Sequence, residues 1–118
     1  MAGLAASIIM AFIGMGPFIT QGTQELYPYP YSWNTNASVL YLDNTAGVGF
    51  SYGQTDRDLT HSDEDAARDA FSFFKQWSED WPELRNNPLY IAGWSYGGIY
   101  APSLALKIHS YNSELLMV

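Results

Sequence analysis

The sequence contains no cysteine, which excludes a disulfide framework, a thiol nucleophile and any thiolate metal site. Basic residues are scarce, with five Lys and Arg against twelve Asp and Glu and a net charge of -7. Nucleic-acid binding neutralises phosphates with clustered Lys and Arg, so a nucleic-acid partner is excluded. Six of the acids fall at Asp56, Asp58, Asp63, Glu64, Asp65 and Asp69, interleaved with Arg57 and Arg68. Such a mixed cluster reads as a solvated loop and helix start, and no metal is assigned to it. A long hydrophobic run is also missing. The first 24 residues carry no charge, but Gly14, Gly16 and Pro17 interrupt MAGLAASIIMAFIGMG short of the roughly 20 apolar residues that span a bilayer. A signal peptide fits the length of that run but lacks its usual basic start. The reading adopted is a buried helix, apolar on all sides.

What is present is the composition of a globular protein: 118 residues, 47% hydrophobic and 16% aromatic, enough for one small domain and free of repeats or low-complexity tracts. Ala37-Ser38-Val39-Leu40-Tyr41-Leu42-Asp43 is a short apolar run with β-branched and aromatic members, expected as a buried strand. Gly47-Val48-Gly49-Phe50 follows as a loop at that strand's end. Ser62-Asp63-Glu64-Asp65 has the pattern of a helix start, a capping serine followed by acids at the positive end of the helix dipole. Ala67, Ala70, Phe71, Phe74, Trp77 and Trp81 recur at three- and four-residue spacing and predict one apolar helix face, which Pro82 and Asn86-Asn87-Pro88 close. Leu89-Tyr90-Ile91-Ala92-Gly93 is expected as a second buried strand, and a second helix from Gly97 to about Tyr111. Strand, helix, strand, helix predicts an α/β fold with parallel strands and flanking helices.

The second strand runs directly into Gly93-Trp94-Ser95-Tyr96-Gly97, a G-x-S-x-G pattern. The bland reading is a strand, a turn and a helix. The sharper reading is a nucleophile elbow, where a strained strand-to-helix turn exposes a serine and needs small residues two before and two after it. In that reading Ser95 is the nucleophile, the Tyr96 amide faces the developing oxyanion at the helix N-terminus, and Gly98 allows close helix packing.

Taken together these residues resemble the serine carboxypeptidase family of α/β-hydrolases. Gly16-Pro17-Phe18, Pro30-Tyr31-Ser32-Trp33-Asn34, the block from Asp43 through Ala46-Gly47-Val48-Gly49-Phe50-Ser51-Tyr52, the aromatic-rich helix, Asn87 through Ile91 and Gly93 through Gly98 carry the likeness, over about residues 3 to 109. The resemblance implies a partial α/β-hydrolase fold in a single incomplete domain, release of C-terminal residues from peptides through an acyl-enzyme on Ser95, no cofactor, and a lysosomal, vacuolar or secreted location. Asn36-Ala37-Ser38 is the one N-x-S/T sequon, so Asn36 is a glycosylation candidate.

Two departures bear on activity. The family's elbow carries a glutamate before the serine that helps hold the substrate's terminal carboxylate, and this chain has Trp94, whose indole cannot share a proton with a carboxylate. The family's upstream oxyanion motif survives at best as Gly3 to Ser7 without its key residues. The triad order of α/β-hydrolases is Ser, then Asp or Glu, then His, yet no acid lies between Ser95 and His109. Fourteen residues of helix separate that pair by about 21 Å, and His61 precedes the serine. Both histidines read as surface or interface residues. The expected product is the N-terminal piece of a hydrolase, inactive alone. Another α/β-hydrolase (esterase, thioesterase or acyltransferase) and a non-catalytic remnant are the alternatives.

Overall fold

A computed structural model describes residues 14–22, 25–59 and 62–116. The chain divides into two compact units, Met1–Asp56 and Arg57–Val118.

In the first unit, β1 (Phe18–Ile19) pairs antiparallel with β2 (Tyr27–Pro28), Phe18 opposite Pro28 and Ile19 opposite Tyr27. The Tyr29 amide extends the pairing by donating to the Pro17 carbonyl at 2.8 Å. Gly22 takes φ +78° in the connection, a conformation that costs glycine little. Buried Ser32 then caps a 3-10 turn, Trp33–Thr35, accepting the Asn34 amide at 3.1 Å and donating to the Met15 carbonyl at 3.3 Å. A polar group taken from water keeps its energy only when it is bonded in this way.

The second unit is a helix pair, α1 (Asp63–Asp80) and α2 (Gly97–Leu116). Helix α1 begins where its cap was expected: the Ser62 hydroxyl accepts the Asp65 amide at 3.1 Å, and Asp63, Glu64 and Asp65 occupy the first turn. It ends at Trp81, before the 3-10 turn Pro82–Leu84. Ala66, Ala67 and Ala70 are its buried residues, small enough to let α2 approach closely. Around them Phe71 meets Tyr111 edge-on at 5.3 Å, the Lys75 ammonium lies 5.5 Å from the same Tyr111 ring, and Lys107 pairs with Glu64. The expected apolar face therefore divides, its alanines forming the core while Trp81 remains 51% exposed.

The expected parallel sheet is not present among the described residues. The two-residue antiparallel pair is the sheet formed there, and neither 37–43 nor 89–93 is assigned as strand. A strand exists only through the N–H and C=O groups of a neighbour, and a parallel sheet is buried on both faces. Without such a neighbour the apolar runs stay outside: Leu40 is 46%, Leu89 52% and Tyr90 88% exposed. Of the segment at residues 1–16 expected as a buried helix, residues 1–13 lie outside the described residues, and Gly3 to Ser7 with them.

Candidate active site

Residues Gly93 to Gly98 form a tight turn into α2. The Gly97 amide donates to the Trp94 carbonyl at 2.9 Å and the Gly98 amide to the Ser95 carbonyl at 2.9 Å. Between these bonds Ser95 takes φ +57°, the one positive φ outside glycine among the described residues. A non-glycine residue held there stores on the order of 1–3 kcal/mol, and such strain persists only where the surroundings over-determine it. The turn brings Gly93 against its far side: a Cβ at Gly93 would lie 2.1 Å from the Gly97 carbonyl oxygen. A side chain at Gly93 would therefore have no room. At Gly97 and Gly98 an added Cβ meets nothing within 4 Å, so the closeness expected at those two glycines, including close helix packing at Gly98, is not found. Gly98 lies exposed on the surface of α2, which accounts for the room there.

The turn leaves Ser95 exposed, two residues ahead of the first residue of α2, where the positive end of the helix dipole favours negative charge. Tyr96 is fastened at its other end. Its hydroxyl donates to the Asp63 carboxylate, 3.1 Å from one oxygen and 3.2 Å from the other, and its ring meets Tyr100 edge-on at 5.0 Å. The bond to Asp63 holds the Tyr96 phenol above its ordinary pKa, reinforced by that carboxylate's charge, by burial and by Tyr100. Burial, then the Asp63 charge, raises Tyr100 as well. Sequence reasoning missed the Asp63–Tyr96 bond. The residues are 33 positions apart, and no local pattern announces it.

Trp94 stands 70% exposed, so its indole presents a flat apolar surface beside the serine. His109 is exposed on α2, fourteen residues beyond Ser95, and His61 lies outside the described residues. No group of three or more His, Cys, Asp or Glu residues suited to a metal is found among the described residues. No helix there is long and apolar enough to cross a membrane.

The glycine-rich block of the first unit has its own organiser. The Asp43 carboxylate, 5% exposed, accepts the Phe50 amide at 2.9 Å, while the Asp43 carbonyl accepts the Ser51 hydroxyl at 2.6 Å. Gly49 passes so close at φ +56° that a Cβ would fall 2.1 Å from that carboxylate. The loop so held carries Phe50 and Tyr52 at 77% and 84% exposure. The sequence marked the loop but not the reason for its acid. Asn36 is exposed at the C-terminal cap of the 3-10 turn, its backbone N–H donating to the Trp33 carbonyl.

Comparison with known proteins places the chain in a family. The family model of the serine carboxypeptidases matches residues 5–116. Serine carboxypeptidase-like 44 of Arabidopsis thaliana is 41% identical over 105 residues, covering 88% of this chain and 22% of its own length. Serine carboxypeptidase-like 26 of the same plant is 46% identical over 97 residues, 80% of this chain and 22% of its own. The probable serine carboxypeptidase CPVL of Homo sapiens is 36% identical over 107 residues, 91% of this chain and 22% of its own. The chain belongs to the serine carboxypeptidase family, a family of α/β-hydrolases, and spans about a fifth of the length of these relatives.

Proposed function

We propose that the chain carries the nucleophile of a serine-type carboxypeptidase, an elbow at Gly93 to Gly98 that acts on the C-termini of peptides or proteins. The observation that carries this reading is Ser95 at φ +57°, two residues ahead of the first residue of α2, in a chain of this family. In the reaction the Ser95 oxygen attacks the last peptide carbonyl and its proton passes through a base to the departing amine. Water then hydrolyses the ester. The Tyr96 amide donates to the oxyanion in both steps. Trp94 lies beside the substrate's terminal residue, where an exposed indole offers apolar contact in place of a shared proton. Both units are read as parts of one incomplete α/β-hydrolase domain, and the reaction needs no cofactor. A vacuolar, lysosomal or secreted setting suits it, with Asn36 as a glycan acceptor.

An acid and a base in the required order are not found between Ser95 and His109, and a serine hydroxyl without a base is a poor nucleophile at neutral pH. The 118 residues alone are therefore expected to be inactive. Trp94 favours a second reading, an esterase, thioesterase or acyltransferase, because it removes a carboxylate-recognition group. A third reading is a remnant without catalysis. A fluorophosphonate probe separates these in the longest product of the gene that contains this chain. Labelling at Ser95, abolished in Ser95→Ala, together with release of C-terminal residues from blocked dipeptides, is the expected result. Turnover of esters alone selects the second reading, and no labelling selects the remnant.

A further inference from the structure

We infer that Asp63 is a positioning residue for the Ser95 turn: from the first turn of α1 its carboxylate holds the Tyr96 hydroxyl, and so fixes the residue whose amide faces the oxyanion. This role rests on the Ser95 nucleophile proposed above. Both Asp63 oxygens lie within bonding distance of the one hydroxyl, at 3.1 and 3.2 Å. Asp63 is itself well placed, as the residue after the Ser62 cap at the start of an 18-residue helix. Around it the helix pair is held by the Glu64–Lys107 ion pair and by buried Ala66, Ala67 and Ala70. The Tyr96 ring, 53% exposed, gains little anchorage from burial beyond its edge contact with Tyr100. Its far end is therefore fixed chiefly by a polar bond.

That bond matters because of where Tyr96 sits. The local bonds, Gly97 to Trp94, Gly98 to Ser95, and Ile99 and Tyr100 to the Tyr96 carbonyl, tie the turn to the start of α2, and the Asp63 bond ties it to α1 as well. The Tyr96 side chain hangs from the Cα next to the oxyanion amide, so pinning its hydroxyl to α1 restricts rotation of that peptide. A left-handed serine needs such outside support, and catalysis by preorganised donors loses rate when a donor is free to wander. The competing view is that Asp63 and Tyr96 only staple α1 to α2. Lys107 and Glu64 staple the same two helices without touching the turn, which makes Lys107→Ala the discriminating comparison.

The test uses the longest product containing the chain, with Asp63→Ala, Asp63→Asn, Tyr96→Phe and Lys107→Ala. Fluorophosphonate labelling of Ser95 is resolved into a maximal rate and a half-saturating probe concentration, and hydrogen exchange is read on the peptide spanning residues 93–98. Asp63→Ala and Tyr96→Phe are each expected to lower the maximal rate about three- to tenfold, the scale of one charge-assisted hydrogen bond at an exposed site. Half-saturation should stay in place, exchange at the turn should quicken, and the double variant should fall no further than either single one. Asp63→Asn keeps an acceptor and should recover most of the rate, and Lys107→Ala should match the parent. A rate for Asp63→Ala within twofold of the parent overturns the inference, as does an equal fall in Lys107→Ala. A parent that is not labelled at Ser95 refutes the nucleophile itself and the positioning role with it, whereas labelling insensitive to Asp63 refutes Asp63 alone.

Discussion

Replacing Gly93 by alanine sets a methyl carbon 2.1 Å from the Gly97 carbonyl oxygen and 2.5 Å from its carbon. To reach even 3.0 Å the two backbone segments must part by about 0.9 Å, and no flexible side chain is available to give way instead. Forced overpacking of this kind costs about 1–3 kcal/mol, and a backbone obstacle places Gly93→Ala toward the upper end. At 1.36 kcal/mol per factor of ten, amide exchange at Gly97 and Gly98 should quicken by roughly 5- to 150-fold. The same measurement on Gly98→Ala provides the contrast. Its Cβ meets nothing within 4 Å, and alanine at a compatible helical position stabilises by about 0.4–1 kcal/mol, so exchange there should slow or hold. Native-state exchange read by mass spectrometry on the residue 93–98 peptide reports both, with fluorophosphonate labelling of Ser95 as a second readout. Exchange in Gly93→Ala within twofold of the parent, with labelling intact, would refute the claim that the turn's closeness requires glycine. So would an equal disturbance from Gly98→Ala.

Restoring a carboxyl group with Trp94→Glu should raise peptide cleavage at about pH 5, where a side chain of ordinary pKa near 4.3 is still partly protonated; flat or falling peptidase rates across acidic pH would remove the carboxylate role from this position. Glycosidase treatment of the secreted product should lower its mass, and Asn36→Gln should abolish the change; an unaltered mass counts against a glycan. Because Tyr96 holds its proton more tightly folded than unfolded, its bond to the Asp63 carboxylate contributes stability that is fully present below the ordinary tyrosine value of 10.0, wherever the carboxylate is ionised, and is lost as pH rises through the folded value. Phenolate absorbance, compared with Tyr96→Phe, should show this group titrating above that value and moving back toward it in Asp63→Asn; no movement would mean that the carboxylate does not hold the phenol. The 118-residue chain, with Tyr90, Trp94 and Leu106 at 88%, 70% and 65% exposure, should bind a hydrophobic dye and cleave neither peptides nor activated esters above Ser95→Ala. A cooperatively melting monomer with Ser95-dependent turnover would contradict this.

Helix α1 was legible residue by residue because everything that sets its ends is local. Ser62 and the three acids begin it, Pro82 stops it, and a cap reaches only three residues along the chain. The glycine before Ser95 was legible for the same reason, since the clash it avoids is with Gly97, four residues away. The strands at 37–43 and 89–93 were not decided this way. Their apolar, β-branched pattern states a preference, but a ladder needs a partner backbone, and among the described residues none supplies it. The division of the α1 face followed contacts as well. Periodicity placed alanines, phenylalanines and tryptophans on one stripe, and only the close approach of α2 selected the alanines as core. Asp43 against Phe50 and Asp63 against Tyr96 mark the same boundary. An acid in a sequence shows a charge, but which donor it meets, seven or 33 residues on, depends on how the chain folds back, because hydrogen bonds act over about 3 Å of space and not along the chain.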